Sequence, residues 1–177
     1  MLWLHRAGPR DVDALHDLFV RLAPESRRRR FFSPTPRVSR AVATHVCTAD
    51  PARTFVLLAR DGGPSGPVIG EVEAVRDRDD PRHAELAVAV DDAWAGRGVG
   101  RRLVTELHAL VAAHGVATLT GEVLADNRPC IALLRSFGMT AVLDGGILCF
   151  TGPVTADHPF RPGPAVLVPV PELGRAA

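Results

Sequence analysis

Lysine and tyrosine are both absent from the 177-residue sequence, so all 21 basic residues are arginine. Without lysine the chain can form no lysine Schiff base, and it cannot carry the lysine-containing phosphate loop of P-loop nucleotide hydrolases. The three cysteines, Cys47, Cys130 and Cys149, form no CxxC pair and leave an odd count. This argues against a disulfide framework and against a cysteine zinc site, and reduced thiols are expected.

Long hydrophobic runs are also missing. No stretch approaches the roughly 18 apolar residues of a membrane span, and His5 and Arg6 interrupt the apolar start before a signal peptide could form. The histidines have no HxxxH-type spacing, so we expect no metal site. Residues 1–60 contain 11 arginines against five acids, and residues 61–177 contain 10 against 15. We expect a cytoplasmic protein, monomeric or homodimeric, that binds neither nucleic acid nor membrane.

Hydrophobic periodicity predicts helices and strands in alternation. The predicted strands cover residues 2–6, 54–60, 68–76, 83–90, 116–124, 140–144 and 147–151, and the predicted helices cover residues 11–22, a short segment behind Pro24, 38–48, 99–114 and 127–137. Asp11 and Ser39 are placed to begin two of the helices. Residues 1–151 are thus predicted to form one domain. Residues 152–177 contain six prolines and are predicted to be a C-terminal tail.

The strand predicted at residues 83–90 has an unusual second face. Period-two alternation puts Ala84, Leu86, Val88 and Val90 on one face and His83, Glu85, Ala87 and Ala89 on the other. The second face therefore carries one carboxylate beside two of the smallest side chains, which leaves a shallow groove next to an acid. A partly solvated strand face with a surface glutamate is the alternative interpretation.

The segment after this strand, WAGRGVGRRLVTEL, packs three glycines into five positions and continues into an amphipathic helix. A strand, a glycine loop and a helix in succession predict an anion site, because free amides converge at the helix N-terminus where the helix dipole is positive. A dinucleotide fingerprint starting at Gly96 and Gly98 fits poorly, since its third position falls on Arg101 rather than glycine or alanine.

The same loop resembles the acyl-CoA loop of the GNAT superfamily of N-acyltransferases, with Gly98 and Gly100 as its two glycines and Ala95 where glutamine or arginine is usual. The segment GEVLADNRPCIALLRSFGM, residues 121–139, is similar to the superfamily's later strand and helix. The stretches PES, RRFF and AELAVAV resemble the Pat-type protein lysine acetyltransferase branch. The resemblance spans roughly residues 4–151 and implies an α/β (α+β) fold, with a mixed, mostly antiparallel sheet flanked by helices on both faces.

The resemblance also implies a binding site for acetyl-CoA or another acyl-CoA as co-substrate. Backbone amides around the loop would hold its pyrophosphate, and the pantetheine arm would run along the preceding strand. The implied coenzyme-binding residues are Val88, Ala89, Val90, Gly96, Arg97, Gly98, Val99, Gly100, Arg101 and Asn127.

By the same resemblance, Glu85 would be the catalytic base, with Glu71 and Glu73 in reserve and Glu122 as a structural residue. The tyrosine that many family members carry seven residues after the asparagine is replaced by Leu134. Cys130, Ser136 or water is left as a general acid, and a non-catalytic acyl-CoA sensor is the alternative function. The acceptor would be a primary amine, either a protein lysine or a small molecule, and the acidic residues Glu71, Glu73, Asp77, Asp79 and Asp80 favour a cationic one.

The arginine run at residues 27–30 has two interpretations. A solvated helix face is the simpler one, since charge runs usually are solvated. A rim that contacts an acidic acceptor or the coenzyme phosphates is the other.

Overall fold

A computed structural model describes residues 1–34 and 37–155, together with the backbone of residues 166–168. Its strands are β1 (Leu2–Arg6), β2 (Thr54–Asp61), β3 (Val68–Arg76), β4 (His83–Val90), β5 (Thr118–Leu124), β6 (Thr140–Asp144), β7 (Ile147–Pro153) and β8 (Val166–Val168). Its helices are α1 (Val12–Arg21), α2 (Pro24–Phe31), α3 (Arg40–Thr48), α4 (Val99–Ala113) and α5 (Arg128–Ser136). Where the sequence predicted both ends of an element, the observed ends differ by at most two residues.

The eight strands form one sheet in the order β6-β7-β5-β4-β3-β2-β1-β8. Strands β4 and β5 run parallel, as do β1 and β8, and the other neighbours are antiparallel. One hydrophobic cluster joins α4 and the end of α5 to one face of the sheet, and a second joins α1 and α3 to the opposite face. The predicted fold class, a mixed and mostly antiparallel sheet with helices on both faces, is confirmed.

The apolar stripe of α1 explains why this segment forms a helix that packs on the sheet. Val12, Leu15, Leu18 and Phe19 recur at helical spacing and are all buried against the sheet. The predicted caps act differently from expectation, because neither the Asp11 nor the Ser39 side chain makes a capping hydrogen bond. The Asp11 carboxylate instead accepts hydrogen bonds from the Gly8 amide, His5 and Arg60.

Strands β4 and β5 separate part of the way along the sheet. Their ladder joins residues 83–85 to residues 118–120, whereas β4 stays paired with β3 as far as Val90. At the point of separation, a Cβ atom on Gly121 would lie 3.2 Å from the carbonyl oxygen of Leu86. A side chain there would crowd the neighbouring backbone, so glycine allows the two strands to stay close here, just before they part.

Part of the predicted tail is described. Strand β7 extends to Pro153, and residues 166–168 add the parallel edge strand β8 beside β1. Residues 156–165 and 169–177 of the tail lie outside the described residues. Within the described ranges, no helix combines the length and the hydropathy needed to cross a membrane.

Candidate active site

A cavity of about 500 Å³ opens where β4 and β5 separate. Its walls come from four places: the second half of β4, the start of α4 with its preceding loop, β5 with the start of α5, and helix α2. Because the two strands have parted, the cavity is lined from both faces of the sheet. A ligand entering from one face can therefore meet a second ligand entering from the other.

The glycine loop forms one wall of this cavity. Gly96 (φ 72°) and Gly98 (φ 82°) both have left-handed backbone conformations, and Gly98 occupies the N-cap position of α4. A Cβ atom on either glycine would meet no atom within 4 Å, so the backbone borders open space. The amides of a first helical turn have no acceptor within the helix, and at α4 that turn lines the cavity. This is the geometry of an anion site at a helix N-terminus.

Most of the residues predicted to bind the coenzyme line this one cavity: Val88, Ala89, Val90, Gly96, Gly98, Val99, Gly100, Arg101 and Asn127. Arg97 does not line it, and its guanidinium lies over the Trp94 ring at 5.1 Å from the ring centroid. Ala95, where the family usually has glutamine or arginine, is also in the wall. The binding roles of these residues stay predictions.

Asn127 and the residues proposed as acids have defined positions on α5. The Asn127 side-chain oxygen caps this helix by accepting a hydrogen bond from the Cys130 amide at 3.3 Å. Burial raises the pKa of the Cys130 thiol to about 11. Leu134, which occupies the tyrosine position, is buried, and the Ser136 hydroxyl donates to the Leu133 carbonyl at 2.6 Å. Ser136 does not line the cavity.

Four glutamates share the face of the sheet that α1 and α3 cover. Glu71 lies opposite Ala89, and Glu73 opposite Ala87. Glu85 lies opposite Val75 on one side and Thr120 on the other. Glu122 is two residues beyond Thr120 and so points the same way. The predicted alternation of β4 thus holds, with Glu85, Ala87 and Ala89 on this face.

The candidate base Glu85 is exposed and lies outside the residues that line the cavity. Glu122, which the sequence interpretation treated as structural, is exposed and does line it. The alternation of Thr118, Thr120 and Glu122 with apolar residues was the available signal, but it could not reveal that β4 and β5 part just before Glu122.

Arg30 forms a buried ion cluster with the two reserve glutamates. Its Nη2 atom lies 3.2 Å from Glu71 Oε1 and 2.6 Å from Glu73 Oε1, and the Glu71 side chain is completely buried. Burial raises the pKa of Glu71 to about 7, although Arg30 opposes that rise. Burial by itself lowers the pKa of Arg30, and the two carboxylates reverse this, so the pKa of the guanidinium is raised.

The rest of the arginine run is also paired, so the run is not simply a solvated helix face. Arg28 contacts Glu25 and Asp126, and Arg27 donates to the Val20 carbonyl. At its other end α2 is tied to the segment after β4, because Ser26 Oγ donates to Asp92 at 2.6 Å. Helix α2 is therefore tied to the segments that follow β4 and β5, and it lines the cavity between them.

Some of the acidic side chains in the β3–β4 turn form hydrogen bonds within the turn itself. Asp77 Oδ1 accepts hydrogen bonds from the amides of Asp79 and Asp80, and Asp80 also contacts Arg82 and His83. Nowhere in residues 1–34 and 37–155 do three or more histidine, cysteine or acidic side chains come together as a metal site would require.

The sheet topology, the parted strands and the glycine loop define an α/β domain with a cavity between two strands and a helix N-terminus whose geometry suits an anion. The Acetyltransferase (GNAT) family model matches residues 12–139. The chain belongs to this family of acetyltransferases, which confirms the resemblance, the fold and the enzyme class predicted from the sequence.

Individual proteins resemble the chain in sequence or in fold. The chain is 33% identical over 136 residues to Acetyltransferase Pat of Mycolicibacterium smegmatis, covering 77% of this chain and 40% of that protein. It is similar in structure to the GNAT domain of S. lividans PAT, with a TM-score of 0.77, 24% identity, and 85% and 89% of the two chains covered. It also resembles yncA of Salmonella typhimurium, solved with its cofactor acetyl-CoA, with a TM-score of 0.71, 18% identity, and 92% and 98% covered.

Proposed function

We propose that the protein transfers an acetyl group from acetyl-CoA to a primary amine. The observation that carries this proposal is that the glycine loop, the start of α4 and residues Val88–Val90 line one cavity at the separation of β4 and β5. A coenzyme with an anionic pyrophosphate and a long thin arm fits such a cavity, because one end offers backbone amides and the other an opened sheet.

This geometry supports the following placement of the coenzyme. Its pyrophosphate binds at the amides from Gly96 to Arg101, where the glycines leave the backbone open. Its pantetheine arm extends along Val88–Val90. The thioester then lies near the separation point, where a backbone amide near Val88 stabilises the oxyanion of the tetrahedral intermediate.

The reaction needs a neutral amine, whereas a lysine-type amine has a pKa of about 10.4. The amine nitrogen attacks the thioester carbonyl carbon, the carbon–sulfur bond breaks, and the amine loses one proton to a base, directly or through water. Glu85 remains the candidate from the strand pattern, and Glu122 is the candidate from the cavity wall. The two stand on the same face, so either can receive this proton through water.

The departing thiolate needs little assistance. Coenzyme A is an ordinary thiol with a pKa of about 8.5. Because burial raises the pKa of Cys130 to about 11, proton transfer from that thiol to the CoA thiolate is unfavourable. We therefore assign the final proton to water, and the absence of a tyrosine does not prevent turnover.

The acceptor is a cationic amine, either a protein lysine or a small molecule. Glu85 and Glu122 are exposed on the face from which an acceptor would approach, and their negative charge attracts an ammonium group. The chain spans 40% of the length of its mycobacterial relative, so the substrates of that protein do not identify the acceptor here.

The test is thiol release from acetyl-CoA in the presence of a panel of amines, with wild type, Glu85→Gln and Glu122→Gln compared over pH 6–9. Loss of the base should lower kcat by about 100-fold. The variant that shows this loss identifies the base, and the other is its matched control. Tight binding of CoA by calorimetry without acceptor-dependent thiol release would favour the non-catalytic sensor.

A further inference from the structure

Phe32 has an unusual backbone conformation. Among the described residues it is the one non-glycine residue with positive φ, at 52°, directly after the last residue of α2. Such a conformation is strained for a bulky side chain and normally favours glycine or asparagine. The side chain is 41% exposed and lines the cavity. A strained aromatic residue in the wall of a ligand cavity calls for a functional explanation.

The two preceding residues hold Phe32 in this conformation. Arg30 is fixed by its contacts with Glu71 and Glu73, and its guanidinium lies 5.2 Å from the centroid of the Phe31 ring. The Phe31 ring packs edge-on against Phe19, with 5.2 Å between ring centroids. Arg30 is thus anchored on the sheet and Phe31 on α1, and the turn at the next residue places the Phe32 ring in the cavity wall.

The position of Phe32 in the cavity indicates which ligand it meets. The glycine loop leads into α4, which packs on the face of the sheet opposite to α1 and α3. Phe32 follows Arg30, whose partners Glu71 and Glu73 stand on the α1–α3 face. Phe32 therefore enters the cavity from the carboxylate-bearing face, across from the wall that the coenzyme would occupy.

We propose that Phe32 determines acceptor specificity by packing its ring against the aliphatic chain of a cationic amine whose ammonium group approaches Glu122, the exposed carboxylate that lines the same cavity. This inference rests on the proposed acetyl transfer to an amine. An aromatic face suits such an acceptor, because it packs on methylene groups and also attracts a nearby cation.

Two substitutions distinguish the effect of removing the Phe32 ring from the effect of relieving the backbone strain. Phe32→Ala and Phe32→Gly both remove the ring, but only glycine adopts positive φ without strain. Both should lower kcat/KM for a lysine-containing peptide by about tenfold or more, mainly through KM, whereas KM for acetyl-CoA changes less than twofold. Their effect on a two-carbon amine should be smaller, since it has little chain to pack. Phe32→Gly should melt about 2–4 °C above Phe32→Ala.

Phe32→Tyr should keep activity within about threefold of wild type, since the ring remains. Val20→Ala is the matched control, because Val20 is an exposed apolar residue of α1 outside the cavity wall, and it should leave both KM values unchanged. An unchanged acceptor KM in both truncations, or a rise in KM for acetyl-CoA instead, overturns the role of Phe32 alone. A wild-type protein that acetylates no amine in the panel overturns the proposed function, and the role of Phe32 with it.

Discussion

The buried cluster of Arg30, Glu71 and Glu73 should make the stability of the protein depend on pH in an unusual direction. One guanidinium faces two carboxylates, and Glu71 is the one with no exposure to solvent. Its ionised form is therefore surplus negative charge in a buried position, even with Arg30 beside it. Replacing Glu71 with glutamine keeps its size and removes its charge, and it leaves the contact between Arg30 and Glu73.

The expected magnitude follows from the pKa of Glu71, which burial raises from 4.5 to about 7. Because the folded state binds this proton more tightly than the unfolded state, the contribution of Glu71 to stability is fully present below about pH 4.5. It is lost as the pH rises towards 7. A difference of about 2.5 in pKa, at 1.36 kcal/mol for each pH unit, corresponds to about 3 kcal/mol.

The measurement is urea unfolding of wild type and Glu71→Gln at several pH values from 5 to 8. Near pH 5 the two should be similar, and by pH 8 the difference in free energy of unfolding should have moved by about 3 kcal/mol in favour of the variant. Glu106→Gln is the control, because it breaks a different glutamate–arginine ion pair, in which Glu106 is 12% exposed and lies 2.9 Å from Arg102.

A second variant tests whether Arg30 is needed to compensate the charge of the two carboxylates. Arg30→Met leaves both carboxylates without their partner, and breaking such a buried pair costs about 3–5 kcal/mol when the surviving charge stays ionised. The cost should be smaller at pH 5, where Glu71 is protonated. If the curves of Glu71→Gln and wild type run parallel from pH 5 to 8, Glu71 does not change its ionisation in that window and the reasoning is refuted.

Two further predictions concern Asp11 and Cys130. Burial alone would raise the pKa of Asp11, but hydrogen bonds from His5 and Arg60 lower it from 3.8 to about 2. Its contribution is thus present above pH 4 and lost as the pH falls towards 2, so Asp11→Asn should lose about 2 kcal/mol at neutral pH and show a flatter acid limb in urea unfolding. An acid limb as steep as that of wild type would contradict this. Because the pKa of the Cys130 thiol is about 11, Cys130→Ala should keep kcat within about twofold and the pH–rate profile unchanged in the thiol-release assay. A tenfold loss with a displaced basic limb would show that the thiol does act as the acid.

Much of the candidate site was predictable because its signals are local. The glycine spacing of residues 96–100 predicts a loop and a helix start, and three residues of that loop, Gly96, Gly98 and Gly100, do line the cavity. The period-two pattern of β4 predicts correctly that Ala87 and Ala89 share a face with Glu85. Whether a residue on that face reaches the cavity was not predictable, since this depends on where β4 and β5 part.

Local pattern in the sequence determined the order of the helices and strands, the family and the glycine loop before α4, because periodicity, glycine spacing and turn residues act over a few neighbours. The tertiary structure alone decided that Arg30 pairs with glutamates more than 40 positions away, that Glu122 rather than Glu85 lines the cavity, and that Phe32 is held at positive φ. Each of these depends on strand order and register, which bring distant segments together through packing of the whole sheet. No short stretch of this chain encodes them.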